Sequence, residues 1–294
     1  MPVPDGLSFR FRQRCRFEAE FRLSRWGAAL KAFLLAGGYG TRLRPLTDSV
    51  PKCLLPIKGR PLLDIWLDLC ARSGIDEVLI NLHAHAQVIE RHLSENTPPL
   101  KVRLVTEKQL LGSAGTVKIN RDWIGNDRTF WIFYSDVLTN ANLRLMSEFH
   151  SRHEDVATLG LYQVPDPSRC GVALTNDAEI ITEFEEKPPN PRSNWVFSGL
   201  MLAGQNFFHS IPSCLPADLA FHVFPKLLGK MRAYRIHEYV LDIGTISNYR
   251  EAQSTWPGAD CKIHSPHRSN ESTPPQLEPR NYLNCNYLNP KETL

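Results

Sequence analysis

Short apolar runs and helix-spaced apolar residues alternate along the first half of the chain. Residues 31–36 (KAFLLA) hold five consecutive apolar residues after Lys31, which predicts a buried strand. Residues 60–75 (RPLLDIWLDLCARSGI) place apolar side chains at 62, 63, 66, 67, 69 and 70, the spacing of one helix face. A strand at 77–82 (EVLINL), a helix at 84–96 and strands at 102–107 (VRLVTE) and 130–137 (FWIFYSDV) continue the pattern. Such alternation predicts an α/β fold with a mostly parallel sheet. In an open sheet of that kind, ligands sit beyond the carboxyl ends of the strands, where Gly37, Gly38, Gly40, Glu107 and Asp136 fall.

From residue 157 the texture becomes β-rich, through ATLGLYQV (157–164), GVAL (171–174), EIITEFEEK (179–187) and FSGLMLA (197–203). A helical stretch at 221–230, a strand at 231–244 and a helix at 245–253 follow, so a second, smaller lobe is expected over the first. Beyond 255 the chain is rich in Pro, Asn and Ser with little apolar periodicity, the composition of a disordered tail. The organisation expected is a basic extension at 1–30, a catalytic domain at 31–254 and a tail at 255–294. No repeat of fixed period, and no run of hexapeptides that would build a β-helix, is present.

Composition narrows the function classes. The net charge of +3 resides in residues 1–30, which hold six arginines against Asp5, Glu18 and Glu20. From residue 31 onward 28 basic residues balance 28 acidic ones, which argues against nucleic-acid binding by counterion displacement. No apolar run is long enough for a bilayer helix, and the arginine-rich start lacks the apolar core of a signal peptide. Seven cysteines without a Cys-x-x-Cys pair suggest reduced thiols, and with these features a cytoplasmic location. His83, His85 and His92 read as polar positions on and before a helix, without metal spacing.

The chemistry concentrates after the first strand. Gly37, Gly38 and Gly40 let main-chain amides approach a phosphate or a base without a Cβ in the way. Arg42 can grip phosphate oxygens in bidentate fashion, and Lys52 adds a mobile point charge. Two familiar phosphate loops are excluded: a Walker A loop requires Gly-Lys-Ser/Thr at its end, and Leu43 occupies the third glycine position of a dinucleotide fingerprint. Taken alone, a single strand-end aspartate such as Asp136 is more often a turn former or a helix cap than a ligand.

The segment LAGGYGTRLRPLTDSVPKCLLPIKGRPLL (35–63) closely resembles the signature of the sugar-1-phosphate nucleotidylyltransferases. EKQLLGSAG (107–115), YSDVL (134–138), GVAL (171–174), FEEKP (184–188) and LDIGT (241–245) follow in the family's order, so the resemblance runs from about 31 to 254. It implies a Rossmann-like three-layer α/β/α nucleotidyltransferase fold with a smaller β-rich sugar-binding lobe. It also implies that a sugar 1-phosphate attacks the α-phosphorus of an NTP and releases pyrophosphate.

By this resemblance the nucleotide lies against Leu35, Ala36, Gly37, Gly38, Gly40, Thr41, Glu107, Gly112 and Gly115. Arg42 holds the phosphates that leave, Lys52 sits near the α-phosphorus, and Asp136 and Asp242 bind Mg²⁺, a metal suited to hard carboxylate oxygens. Gly171, Glu186, Lys187 and Gly199 face the sugar phosphate, with Glu186 on sugar hydroxyls and Lys187 on the phosphate. Two departures stand out: Ser135 where many relatives have Gly, and Phe197 where relatives commonly carry Asn two residues before Gly199.

Glu107 followed by Leu111-Gly112-Ser113-Ala114-Gly115 is similar to guanylyl-transferring relatives, and its carboxylate could accept hydrogen bonds from N1 and N2 of guanine. The pattern favours GTP and mannose 1-phosphate, with thymidylyl or cytidylyl transfer to glucose 1-phosphate and guanylyl transfer to a heptose 1-phosphate as alternatives. A monomer or homodimer is expected. A catalytically silent nucleotide-sugar-binding homologue is the rival of another class, opposed by the retention of Arg42, Lys52, Asp136, Lys187 and Asp242. A glycosyltransferase is the other rival, opposed by a single Asp in YSDVLTN where such enzymes show Asp-x-Asp.

Overall fold

The computed structural model describes residues 30–153 and 155–259; the basic extension up to residue 29 and the tail from 260 lie outside the described residues. Strand β1 (Lys31–Leu35) occupies the middle of a nine-stranded sheet. Its Ala32, Phe33 and Leu34 have no exposure, so it shows no apolar-polar alternation: both of its faces are covered. Ala32 and Leu34 face one core with Leu63, Trp66 and Ile89, and Phe33 faces the other with Val117, Ile124 and Phe207.

A two-residue hairpin, β2 (Pro56–Ile57) and β3 (Arg60–Pro61), leads into α1 (Leu62–Arg72), which buries Leu62, Leu63, Ile65, Trp66, Leu67, Leu69 and Cys70. Then follow β4 (Glu77–Leu82), α2 (Ala86–Glu95), β5 (Lys101–Thr106), α3 (Ser113–Ile119), α4 (Arg121–Ile124) and β6 (Thr129–Tyr134). β1 pairs in parallel with β4 and β6, and β4 with β5, as the alternating sequence predicts. After the short β7 (Val137–Thr139) and α5 (Leu143–Ser151), the chain enters its β-rich half.

That half consists of β8 (Ala157–Gln163), β9 (Gly171–Thr175), β10 (Ile181–Glu186), β11 (Trp195–Gly204) and β12 (Met231–Arg235). These strands build no sheet of their own. They extend the central one in the order β10-β9-β11-β6-β1-β4-β5, with β8 between β11 and β12. The β11 ladders to β6, β8 and β9 and the β9–β10 ladder are antiparallel, so the mostly parallel sheet expected from the sequence is parallel in its N-terminal half and mixed as a whole.

The stretch expected to be helical at 221–230 is a π-helical turn (Leu219–Val223) and a 3-10 turn (Phe224–Lys226). Pro225 has no N–H to continue a helix, and Gly229 turns the chain at φ +77°. The strand expected at 231–244 is likewise divided, into β12 and β13 (Val240–Asp242), before α6 (Ile246–Thr255). β13 pairs with β7 in a separate two-stranded ribbon.

Candidate active site

Past the end of β1 the chain runs without regular structure from Ala36 to Gly40 before a 3-10 turn at Thr41–Leu43. This loop forms one wall of a cavity of about 450 Å³. Of the residues singled out in the sequence, Leu35, Ala36, Gly37, Gly38, Gly40, Thr41, Arg42, Lys52, Glu107, Gly112 and Asp136 line it. Gly115 lies on α3 behind the wall, against Leu111 and Leu215. Glycine at 37 is required by proximity: a Cβ there would lie 2.7 Å from Nδ2 of Asn81, whose Oδ1 accepts the main-chain N–H of Ala36 at 2.7 Å.

The charged end of the cavity is assembled by the small ribbon. Asp136 immediately precedes β7, Asp242 ends β13, and the register opposes Asp242 to Val137, while the Ile243 N–H donates to the Asp136 carbonyl at 2.9 Å. Two aspartates far apart in sequence thus share one corner. Lys52 Nζ donates to Asp136 Oδ2 at 2.5 Å. A side chain at Gly244 would come within 2.6 Å of Asp242 Oδ1, 2.9 Å of Arg42 Nη2 and 3.1 Å of Lys52 Nζ, so both cations and one carboxylate converge on that glycine. Burial, and after it the charge of Asp136, pushes the Asp242 carboxyl above the usual range, against Lys52, the Gly244 N–H and Arg42.

The residues assigned to the sugar form a second group beside the first. Gly171 lies against Phe184 and Glu186, and Lys187 Nζ is 3.3 Å from Glu186 Oε1. Lys187 takes a positive φ of +54° and its side chain is 58% exposed. Burial raises the Glu186 carboxyl, with Lys187 opposing and Asp218 adding to the shift. Gly199 sits in the irregular stretch of β11, at φ +79°, packed against Tyr134 and Val137. Tyr134 and Asp218 line the cavity and connect the groups: burial raises the Tyr134 hydroxyl, followed by Asp218, with Asp136 and Glu186 contributing.

A family model described as nucleotidyl transferase matches residues 31–257. The chain belongs to the nucleotidyl transferase family. It is 32% identical over 223 residues to a mannose-1-phosphate guanylyltransferase of Mycobacterium tuberculosis, covering 74% of this chain and 62% of that protein. It is 31% identical over 221 residues to mannose-1-phosphate guanyltransferase beta-A of Xenopus laevis, covering 73% and 61%. The chain therefore spans about three fifths of the length of the curated relatives it matches. HddC from Yersinia pseudotuberculosis shares the fold, with a TM-score of 0.66 at 22% identity over 77% of this chain and 99% of that one.

Among the described residues no group of three or more His, Cys, Asp and Glu side chains could hold a metal ion. Two carboxylates facing one corner still fit Mg²⁺, which is commonly held by one or two carboxylates with substrate phosphates completing its shell. No helix among the described residues is long and apolar enough to cross a membrane.

Several cavity residues escaped the sequence reading: Tyr39, Asn81, Ser113, Thr116, Tyr134, Asp218 and Gly244. Asn81 left a readable signal, a polar residue inside the buried run of β4. Asp218 left none, because it lies in a Pro-rich stretch, where its Oδ2 accepts from Ser113 at 2.8 Å and its Oδ1 from the Ala220 N–H at 2.8 Å. His83 is bonded to the main chain of Glu107 and to the side chain of Tyr39, both of which line the cavity.

Proposed function

We propose that this chain transfers a nucleotidyl group from an NTP to a sugar 1-phosphate and releases pyrophosphate, with GTP and mannose 1-phosphate as the favoured pair. The observation that carries the proposal is the convergence of Arg42, Lys52, Asp136 and Asp242 at one end of a cavity walled by the glycine loop. Cations beside the loop suit a reaction whose leaving group gains charge. The named relatives support the guanylyl and mannose choices.

In this reading a phosphate oxygen of the sugar 1-phosphate attacks the α-phosphorus while the bond from that phosphorus to the β-bridging oxygen breaks. The electron pair leaves with pyrophosphate, and no proton transfer is required of the protein. Arg42 neutralises the departing phosphates, and Lys52 serves the α-phosphate from its position on Asp136. Lys187 orients the sugar phosphate and Glu186 a sugar hydroxyl. Mg²⁺ held by Asp136 and Asp242 would supply further neutralisation of phosphate charge. The glycine loop and Gly112 keep main chain against the nucleotide.

The test is pyrophosphate release with Mg²⁺ across GTP, dTTP, CTP, UTP and ATP, each with mannose, glucose, galactose, glucosamine and heptose 1-phosphates. Release with GTP and mannose 1-phosphate above all other pairs is expected. Release with dTTP and glucose 1-phosphate would reassign the substrates within the same reaction. Binding of a nucleotide sugar without release from any pair would replace transfer by a regulatory role.

A further inference from the structure

The sequence reading gives the Glu107 carboxylate to guanine, but its geometry assigns it other work. Oε1 accepts from Asn81 Nδ2 at 3.0 Å and from Thr116 Oγ1 at 2.5 Å, and Oε2 accepts the Leu111 N–H at 3.2 Å. A carboxylate offers about four acceptor positions, so three protein donors leave little for a base, and Glu107 is only 6% exposed. The Asn81 amide has one orientation, because its Oδ1 must accept the Ala36 N–H while its Nδ2 donates to Glu107.

A second tie runs beside the first. The Glu107 carbonyl can only accept, so His83 Nδ1 donates to it at 2.8 Å, and the other ring nitrogen is hydrogen-bonded to the Tyr39 hydroxyl at 2.8 Å. The glycine loop is thus fastened to residue 107 at both Ala36 and Tyr39. Hydrogen bonds to a buried carboxylate are stronger than neutral ones, which suits a fixed spacer.

We infer that Glu107 is a positioning residue: it sets the spacing between the glycine loop and the 107–113 segment, and main-chain groups of those two walls, not this carboxylate, select the base. The inference rests on the reading of the cavity as an NTP site. It predicts that loss of the brace weakens every nucleotide alike, whereas a carboxylate that reads guanine would favour GTP over ITP, which lacks the 2-amino group.

The test measures binding of GTP, ITP and ATP by calorimetry, without sugar phosphate, to the wild type, Glu107→Gln and Thr116→Val. Amide hydrogen exchange of the free proteins is measured at Ala36 and Leu111. We expect both variants to lose about tenfold in affinity for all three nucleotides, with the GTP-to-ITP ratio unchanged and faster exchange at both amides. A selective loss of GTP binding in Glu107→Gln, or unchanged exchange in both variants, would overturn the inference. If Glu107→Gln does not fold, Thr116→Val decides, since it removes one donor and leaves the carboxylate in place. If the wild type binds none of the nucleotides, the NTP reading fails while the exchange data still decide whether Glu107 is the brace.

Discussion

On the side of the cavity proposed for the nucleotide the walls are main chain held by buried side chains, whereas on the side proposed for the sugar they are side chains at strand ends. Asn81, Glu107 and Thr116 are all buried and bonded to one another behind the glycine loop. Lys187 is largely exposed and meets Glu186 at 3.3 Å, while Gly171 merely makes room for Glu186 and Phe184. A braced main-chain wall fixes shape at the time of folding, and a wall of long side chains fixes it on binding, at a cost in side-chain entropy. On the proposed function, this difference would place nucleotide recognition in the scaffold and sugar recognition in exchangeable residues.

The strongest way to break the comparison is at the corner both sides share. Asp136→Asn and Asp242→Asn are each expected to lower turnover by about 1000-fold, the scale of losing one preorganised electrostatic group, with the fold kept. Pyrophosphate release and circular dichroism check this, and unchanged turnover in either variant would remove that aspartate from the mechanism. Gly37→Ala tests the nucleotide wall alone: the added methyl meets Asn81, and an overpacking cost of about 3 kcal/mol corresponds to roughly 100-fold weaker nucleotide binding, with sugar phosphate binding untouched. Equal loss for both ligands would show that the walls are not independent.

The packing of α5 on β8 is expected to be sensitive to acid. His150 of α5 is buried with Nδ1 at 2.8 Å from Thr158 Oγ1, and burial lowers its pKa from 6.5 to about 4. The unfolded chain therefore takes up a proton at a higher pH than the folded one. The stability this neutral ring contributes is full above pH 6.5 and is lost as the pH falls toward about 4. Between pH 6.5 and 5 the loss amounts to about 2 kcal/mol, and His150→Asn should flatten that dependence in urea titrations. The smallest effect expected is that of Lys187→Met, about fivefold in KM for the sugar phosphate with nucleotide KM unchanged, because an exposed charge is screened by water. Steady-state kinetics with each substrate varied in turn separates the two.

The sequence made legible what depends on local pattern. β1 and β4 were readable because strands covered on both faces are predominantly apolar, and α1 because its buried face recurs at helical spacing. The shared corner was readable only through motif resemblance, since nothing near Asp136 in sequence announces that β13 pairs with β7. α3 was hidden because SAGTVKI is short and contains a glycine, and Asp218 because its neighbours in space, Ser113 and Tyr134, are remote along the chain. The donors to Glu107 were hidden for a related reason: a carboxylate at a strand end looks available in sequence, and two of its three donors come from other elements.

β11 gives the molecule its mechanics. Its residues Leu200–Gly204 pair with β6, which runs into Ser135 and Asp136, and its Val196 pairs with Val172 of β9, the strand that begins at Gly171, so a single strand is bonded to elements of both groups. No linker separates the two, and swinging one against the other would break ladder bonds. On the proposed reaction, the two walls would be set before either substrate arrives, and the travel needed to bring phosphorus and oxygen together would be left to the ligands and the side chains that touch them.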